Sequence, residues 1–169
     1  MRKFGFMFPG QGSQKLGMLS NFATKSNIIQ ETFSEASDVL GIDLWDIVQH
    51  DRENNLDQTQ ITQPVLLATS VTIWRLWINQ QGPKPSVLVG HSLGEYSALV
   101  CAGVIGFQDA VNIVFRRGQF MQLAVSEGKG KMAAIVGLNP DKITEICKSI
   151  GNLGTVSVAN FNSPGQIVI

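Results

Sequence analysis

The sequence predicts an α/β protein, and three observations carry that expectation. Short apolar strands run into glycine-bearing turns, as at Phe4–Phe8 before Pro9-Gly10 and Ser86–Val89 before Gly90. Long segments between them have helical periodicity. From Lys131 onward the order is strand, helix, strand, strand, the opening of a split β-α-β arrangement. The balance of residues fits a packed domain: 44% are hydrophobic and 15% charged, against about 25% charged in an average soluble domain. Thirteen Lys+Arg offset thirteen Asp+Glu. That neutrality excludes the basic footprint of a nucleic-acid binder, and the apolar content excludes disorder. A length of 169 residues suits one domain, or one domain and part of another, at roughly 100–200 residues each.

The elements follow in order. Lys3 to Phe8 reads as a short buried strand, and Pro9-Gly10-Gln11-Gly12-Ser13-Gln14 as a loop. Ser26 to Leu40 is a helix with Ile28, Ile29, Phe33, Ala36 and Leu40 on its apolar face, Ser26 as N-cap and Gly41 as stop. A short helix spans Asp43 to Gln49, and His50 to Gln60 is polar loop. Thr62 to Gln80 is a helix with Pro64 in its first turn. It is apolar nearly all round, which predicts burial against a sheet. Gly82-Pro83 ends it, and Ser86 to Val89 is a second buried strand. Leu93 to Cys101 and Gln108 to Val125 are helices. Gly128-Lys129-Gly130 is a flexible link, dividing a core of residues 1–127 from a small subdomain of residues 128–169. In the latter, Lys131–Leu138 is a strand, Asn139-Pro140 caps a helix to Ile150, Thr155–Asn160 is a strand, Asn162–Gly165 a turn, and Gln166 starts another strand. Domains end in polar linkers rather than in apolar strands, so the chain is expected to stop mid-domain.

Membrane insertion is not expected. The longest apolar stretch, Ser97 to Phe107, is broken by Gly103 and Gly106, whereas a span needs about 20 apolar residues. The N-terminal apolar run is too short for a signal peptide. Cys101 and Cys147 lack metal-ligand spacing and read as buried free thiols of a reducing cytoplasm.

Gly90-His91-Ser92-Leu93-Gly94 is a G-x-S-x-G pentapeptide between a strand and a helix. That is the context of a nucleophile elbow, a turn so tight that flanking positions accept only glycine. The helix behind it points its first amides at the serine, where they stabilise an oxyanion. An ordinary turn with Ser92 as helix cap is the alternative. A serine nucleophile needs a base, and elbow enzymes place a histidine after the serine. None follows Ser92 here. His91 leaves the backbone beside Ser92 in another direction, and His50 lies in polar, surface-like sequence. Arg117 falls within about 60° of Ala110, Ile113, Val114, Phe120, Met121 and Ala124 on a helical wheel. This places it at the centre of an apolar face, with Arg116 toward the edge. A buried arginine demands an anion, either a substrate carboxylate near Ser92 or an internal partner such as Glu95.

Four segments, Phe8–Gln14, Gly90–Leu99, Arg116-Arg117-Gly118 and Asn160–Gln166, occur in this order. Together they resemble the malonyl-CoA:acyl carrier protein transacylase family of bacterial fatty acid synthesis, over essentially the whole chain from Phe4 to Ile169. The resemblance implies an α/β-hydrolase-like core with a ferredoxin-like small subdomain, both incomplete here. It implies Ser92 as the nucleophile malonylated by malonyl-CoA and relieved by the pantetheine thiol of acyl carrier protein. It implies backbone N–H groups of Gln11 and Leu93 as the oxyanion hole, Arg117 as the carboxylate's partner, and His91, Gln63 and Met121 as lining of the acyl pocket. No metal or organic cofactor is implied. Arg116, Lys129 and Lys131 are candidates for touching an acidic carrier protein.

The departure from the family is the base histidine, which is expected past Ile169. The 169-residue chain alone is therefore expected to be inactive, because general-base catalysis is worth about 10²–10⁴-fold. Three other readings stay open. One is a polyketide-synthase-type acyltransferase, disfavoured because Met1 precedes the strand without an upstream domain. Another is a serine hydrolase, disfavoured by Arg117. The third is a non-catalytic carrier-binding paralogue, favoured by the missing base.

Overall fold

The computed structural model describes residues 3–125, 129–150 and 154–169. They fall into two compact units, Met1–Ala124 and Val125–Ile169. Gly128, at the link the sequence suggests, lies outside the described residues.

In the first unit β1 (Gly5–Phe8) and β2 (Val87–Gly90) pair in parallel, Gly5 opposite Val87 and Phe8 opposite Gly90. Parallel partners need a long crossover, supplied here by α1 (Ser20–Ala23), α2 (Ile28–Leu40), α3 (Leu44–His50) and α4 (Thr59–Asn79). Because the strands end in register, the loops that leave them emerge side by side. α5 (Leu93–Cys101) and α6 (Phe107–Ala124) follow β2.

The core lies mainly between helices. Ile29 and Phe33 of α2 meet Val65, Leu67 and Val71 of α4, Leu93 of α5, and Val111 and Val114 of α6. Gly41 ends α2 with φ 66°, a left-handed turn that costs glycine little. Asn27, not Ser26, holds the N-cap position, and Ser26 Oγ accepts from the Ile28 amide at 3.3 Å. Asp43 caps α3, its Oδ1 accepting from Asp46 N at 2.8 Å. The Arg75 guanidinium donates to Glu35 at 2.8 Å and Thr32 Oγ1 at 3.1 Å, and covers the Phe107 ring at 4.9 Å, tying α2, α4 and α6 together.

Other expectations change here. The strands are thinner and less buried than their apolar residues suggest: Met7 is 83% exposed and Val87 53%. Among the described residues two strands pair in this unit. α4 starts three residues earlier than its periodicity indicates, which puts Pro64 inside the helix. There it removes the hydrogen bond that residue 64 would donate to the Gln60 carbonyl. The neighbours of α4 are α2, α5 and α6 rather than a sheet. Its ring contacts with β1 lie in its C-terminal half, where Trp74 and Trp77 meet Phe6 edge-on at 5.5 and 5.3 Å. α1 is one turn long, too short for periodicity to reveal.

Cys101, at the end of α5, and Cys147 are free thiols. Burial pushes the Cys101 thiol up to about 12, with the Arg75 guanidinium pulling weakly the other way. At pH 8 iodoacetamide should therefore label folded Cys101 about a thousandfold more slowly than a free thiol, since only the thiolate reacts. Mass analysis of the Cys101 peptide over time checks this, and a free-thiol rate would contradict it. The folded thiol holds its proton longer than the unfolded one, so this contribution is full below the unfolded pKa. It is lost as pH rises toward 12.

The second unit orders its strands β3–β5–β4, all antiparallel: β3 (Ala134–Val136), β4 (Asn160–Ser163) and β5 (Gln166–Val168). α7 (Pro140–Ile150) lays Ile143 and Cys147 against Ile167. Asn139 Oδ1 accepts from the Asp141 amide at 2.8 Å at its start. The strand expected at Thr155–Asn160 instead begins at Asn160 and takes in Asn162 and Ser163, with the turn narrowed to Pro164-Gly165. The cause is pairing: Phe161 stands opposite Ile167, and a bulge between Phe161 and Ser163 absorbs the extra residue.

Candidate active site

Ser92 stands where β2 turns into α5. Its backbone adopts φ 55° and ψ −108°, a conformation that costs a side-chain-bearing residue about 1–3 kcal/mol and concentrates at functional sites. The turn is enforced sterically. A Cβ on Gly90 would overlap the backbone of Gly94 and Glu95, and one on Gly94 would overlap the carbonyl of Phe8. His91 N donates to Phe8 O at 3.2 Å, and Gly94 N to His91 O at 2.9 Å. Ser92 makes no side-chain cap bond to α5. Ser92 thus holds the N-cap position of α5 without capping it through its side chain, at an exposed position. Leu93 buries its side chain in the core, and its amide belongs to the first turn of α5, where N–H groups lack intrahelical acceptors.

The loop that leaves β1 packs beside this turn. A Cβ on Gly10 would stand 2.9 Å from the His91 carbonyl oxygen. Ser13 Oγ donates to Gly10 O at 2.8 Å, and the Gly12 amide donates to Gln14 Oε1 at 2.8 Å. Gln14 Nε2 donates to Asp57 Oδ1 at 2.8 Å, and Gln11 Nε2 to Thr59 Oγ1 at 3.2 Å. These bonds fasten the Gln11 loop to the start of α4.

α6 reaches the same place through Gly118. A Cβ there would stand 2.5 Å from Gln60 Cα and 2.8 Å from Thr59 O, so glycine alone permits this approach of α6 to α4. Arg117 beside it and Met121, one turn on, then face Gln63. Arg117 Nη1 donates to Gln63 Oε1 at 2.8 Å, and Nη2 donates to Ser92 Oγ at 3.0 Å. Met121 Sδ accepts from Arg117 Nη1 and from Gln63 Nε2, each at 3.2 Å. The guanidinium also lies 5.8 Å from the centre of the Tyr96 ring.

Four expected residues, Ser92, Arg117, Gln63 and Met121, are thus joined through the Arg117 guanidinium. His91 is exposed beside Ser92. Exposed His50 ends α3, its Nδ1 2.7 Å from Asp46 Oδ1. Tyr96, in the first turn of α5, is a further neighbour of the guanidinium that no sequence signal assigns to the site. The burial expected for Arg117 is corrected. It is half-buried, because Ile113 (41%), Met121 (46%) and Phe120 (69%) on the same face are themselves exposed. They line an open apolar groove of about 520 Å³ with Arg116, Arg117 and Ala124. A wheel shows which residues share a face, not whether anything packs on it. The partners observed for Arg117 also differ from the internal alternative, Glu95. Among the described residues no group of three or more His, Cys, Asp or Glu side chains is placed to hold a metal ion, and no helix is long and apolar enough to cross a membrane.

Gln63 is fully buried and gives Arg117 a neutral acceptor, and the guanidinium's contacts with Gln63, Met121 and Ser92 bring it no anion. Gln63→Glu would place a carboxylate on that fork permanently. An incoming anion would then lose a charge-assisted bond, so affinity for a carboxylate ligand should fall about tenfold or more. Titration with malonate, followed calorimetrically, checks this; unchanged affinity would remove Arg117 from anion binding.

Residues 5–169 match the acyl transferase domain family. The malonyl CoA-acyl carrier protein transacylase of Salmonella typhimurium is 54% identical over 169 residues, covering 100% of this chain and 55% of the relative. That of Staphylococcus aureus is 42% identical over 170 residues, covering 100% of this chain and 54% of the relative. An acyl carrier protein S-malonyltransferase structure from Vibrio cholerae superposes with a TM-score of 0.93 at 53% identity, over 99% of this chain and 55% of that one. A structure of a type II PKS acyl-carrier protein in complex with its malonyl-transacylase matches with a TM-score of 0.94 at 54% identity, over 99% of this chain and 54% of that one. The fold is thus a partial α/β fold shared with these proteins, and the chain spans about half the length of the curated relatives it matches.

Proposed function

We infer the function from one premise: this chain belongs to the acyl transferase domain family. The reaction is transfer of a malonyl group from malonyl-CoA to the pantetheine thiol of acyl carrier protein, in fatty acid biosynthesis, through an ester on Ser92. The observation that carries this reading is the Arg117 fork, which touches both Ser92 Oγ and Gln63 Oε1. A malonyl thioester has its carboxylate one methylene from the carbonyl under attack. A cation one hydrogen bond from the nucleophile suits that spacing.

In the first half-reaction Ser92 Oγ bonds to the thioester carbonyl carbon and the C–S bond breaks. The serine's proton ends on the departing CoA thiol. In the second, the carrier's thiol attacks the ester, its proton returning to Ser92. The amides of Gln11 and Leu93 serve the oxyanion of each tetrahedral intermediate. The adjacency of the Gln11 loop and the elbow supports that role. No histidine follows Ser92 in this sequence, and the base is read as belonging to the remainder of the relatives' length. The core is taken as residues 1–127 and the small subdomain as 128–169.

Neither a metal nor an organic cofactor enters this reading; malonyl-CoA and the loaded carrier are substrates. The cytoplasm is the expected site, which the two free cysteines support. A second reading, transfer to the carrier protein of a polyketide synthase, is favoured by the relative whose partner is a type II PKS acyl-carrier protein. Assays with carrier proteins of both kinds separate the two. Mass spectrometry after incubating the full-length protein with malonyl-CoA should place the ester on the Ser92 peptide. A malonyl group on another residue, with Ser92 unmodified, would sink the assignment.

A further inference from the structure

We propose that Arg117 restrains Ser92 in the free protein and that the substrate's own carboxylate releases it, so that a single contact both quiets the nucleophile and selects the acyl group. This rests on the reading of Ser92 as nucleophile. Arg117 divides its fork. Nη1 goes to Gln63 Oε1 and Met121 Sδ, and Nη2 goes to Ser92 Oγ at 3.0 Å. Gln63 is 0% exposed and its amide nitrogen is engaged with Met121, so its oxygen is fixed. Ser92 is exposed, neutral and makes no cap bond to α5. It is the partner an anion displaces most easily.

A carboxylate outcompetes a hydroxyl for a guanidinium, because a bond between two charged partners is roughly twice as strong as a neutral one. While Oγ accepts from Nη2, one of its two lone pairs is drawn toward the cation. Once a carboxylate takes Nη2, that lone pair is free and the side chain can rotate about χ1 toward the carbonyl carbon. An acetyl group brings no anion and leaves Ser92 held. Selection then appears in the reactivity of Ser92 as well as in binding.

The test uses the full-length protein and a neutral sulfonyl fluoride that labels Ser92, its rate read by mass spectrometry. Sodium formate, small enough to pair with Arg117 without filling the acyl site, is compared with sodium chloride at equal ionic strength. Formate should accelerate labelling of the native protein. Arg117→Ala should label at least about fivefold faster than native in chloride, from the loss of a charge-assisted bond, and should ignore formate. A formate rate equal to or below the chloride rate, or slower labelling of Arg117→Ala, overturns the proposal, because Arg117 would then be activating Ser92 by stabilising its alkoxide. The formate arm needs no variant, so a misfolded mutant does not decide the matter. Malonyl-CoA is run in parallel. A Ser92 ester without a formate effect removes the restraint alone, whereas no Ser92 ester removes the reading beneath it.

Discussion

In the full-length protein Gly94→Ala is expected to lower malonyl transfer by at least about a hundredfold while leaving an altered but largely helical protein. The added Cβ would overlap the carbonyl of Phe8, the last residue of β1. That carbonyl already accepts from His91 N, and Phe8 lies opposite Gly90 in the strand pair. It cannot withdraw without loosening the β1–β2 register or tilting α5. Overpacking a tight site costs about 1–3 kcal/mol, and here the obstacle is backbone rather than a side chain that can swing away. The displacement also falls on the catalytic geometry. Ser92 and the first amides of α5 move relative to the Gln11 loop, and a misplacement of about 1 Å costs on the order of 10²-fold. Loss of at least about a hundredfold in kcat/KM is thus expected, with a midpoint shift in chemical denaturation. The control is Gly12→Ala, where an added Cβ meets nothing within 4 Å and the strain comes only from φ 99°. Near-native turnover of Gly94→Ala would show that Ser92 does not depend on this turn.

The elbow was readable because local sterics dictate it. Strand, Gly90, Ser92, Gly94 and helix are contiguous, and the glycines fail for reasons that involve only near neighbours and the adjacent strand. α5 accordingly falls where its sequence places it, Leu93–Cys101. The Arg117 cluster was readable in part. Helical geometry puts Arg117 and Met121 on one face, but the closeness of α6 to α4 depends on Gly118, whose significance appears only when Gln60 lies against it. Gln63 and the Gln11 loop entered through resemblance, since a glutamine in a first turn carries no chemical signal alone.

Burial was the least readable property. Val87 and Val89 are apolar in a strand, yet both are about half exposed, and Phe120 on α6 is 69% exposed. Apolar patterning reports what an element is suited to cover, not what these residues supply to cover it. β4 was misplaced for a related reason. The stretch Thr155–Asn160 has strand composition, but pairing with β5 begins at Asn160. Partner geometry overrode local preference.

Arg117→Ala is expected to erode the acyl preference by about ten- to a hundredfold. The half-buried guanidinium holds three partners in the free protein, all neutral: Gln63, Met121 and Ser92. Its charge is thus met by dipoles and by the Tyr96 ring face, with no anion among these contacts. A malonyl carboxylate supplies that anion, and an acetyl group does not. A hydrogen bond to a charged group is worth about 1.5–3 kcal/mol, which is about ten- to a hundredfold in rate. The larger penalties of fully buried pairs do not apply, because Arg117 is partly open to water through the groove lined by Ile113 and Phe120. In the full-length protein kcat/KM for malonyl-CoA should therefore fall by that factor, while acetyl-CoA is spared or improved as Ser92 loses its restraint. Arg116→Ala, exposed one residue away, should change both substrates less than about threefold, in line with the small effects of surface substitutions. Measuring both substrates in all three proteins separates recognition from support. Equal losses for malonyl-CoA and acetyl-CoA in Arg117→Ala would mean that Arg117 braces α6 against α4 through Gln63 and does not read the carboxylate.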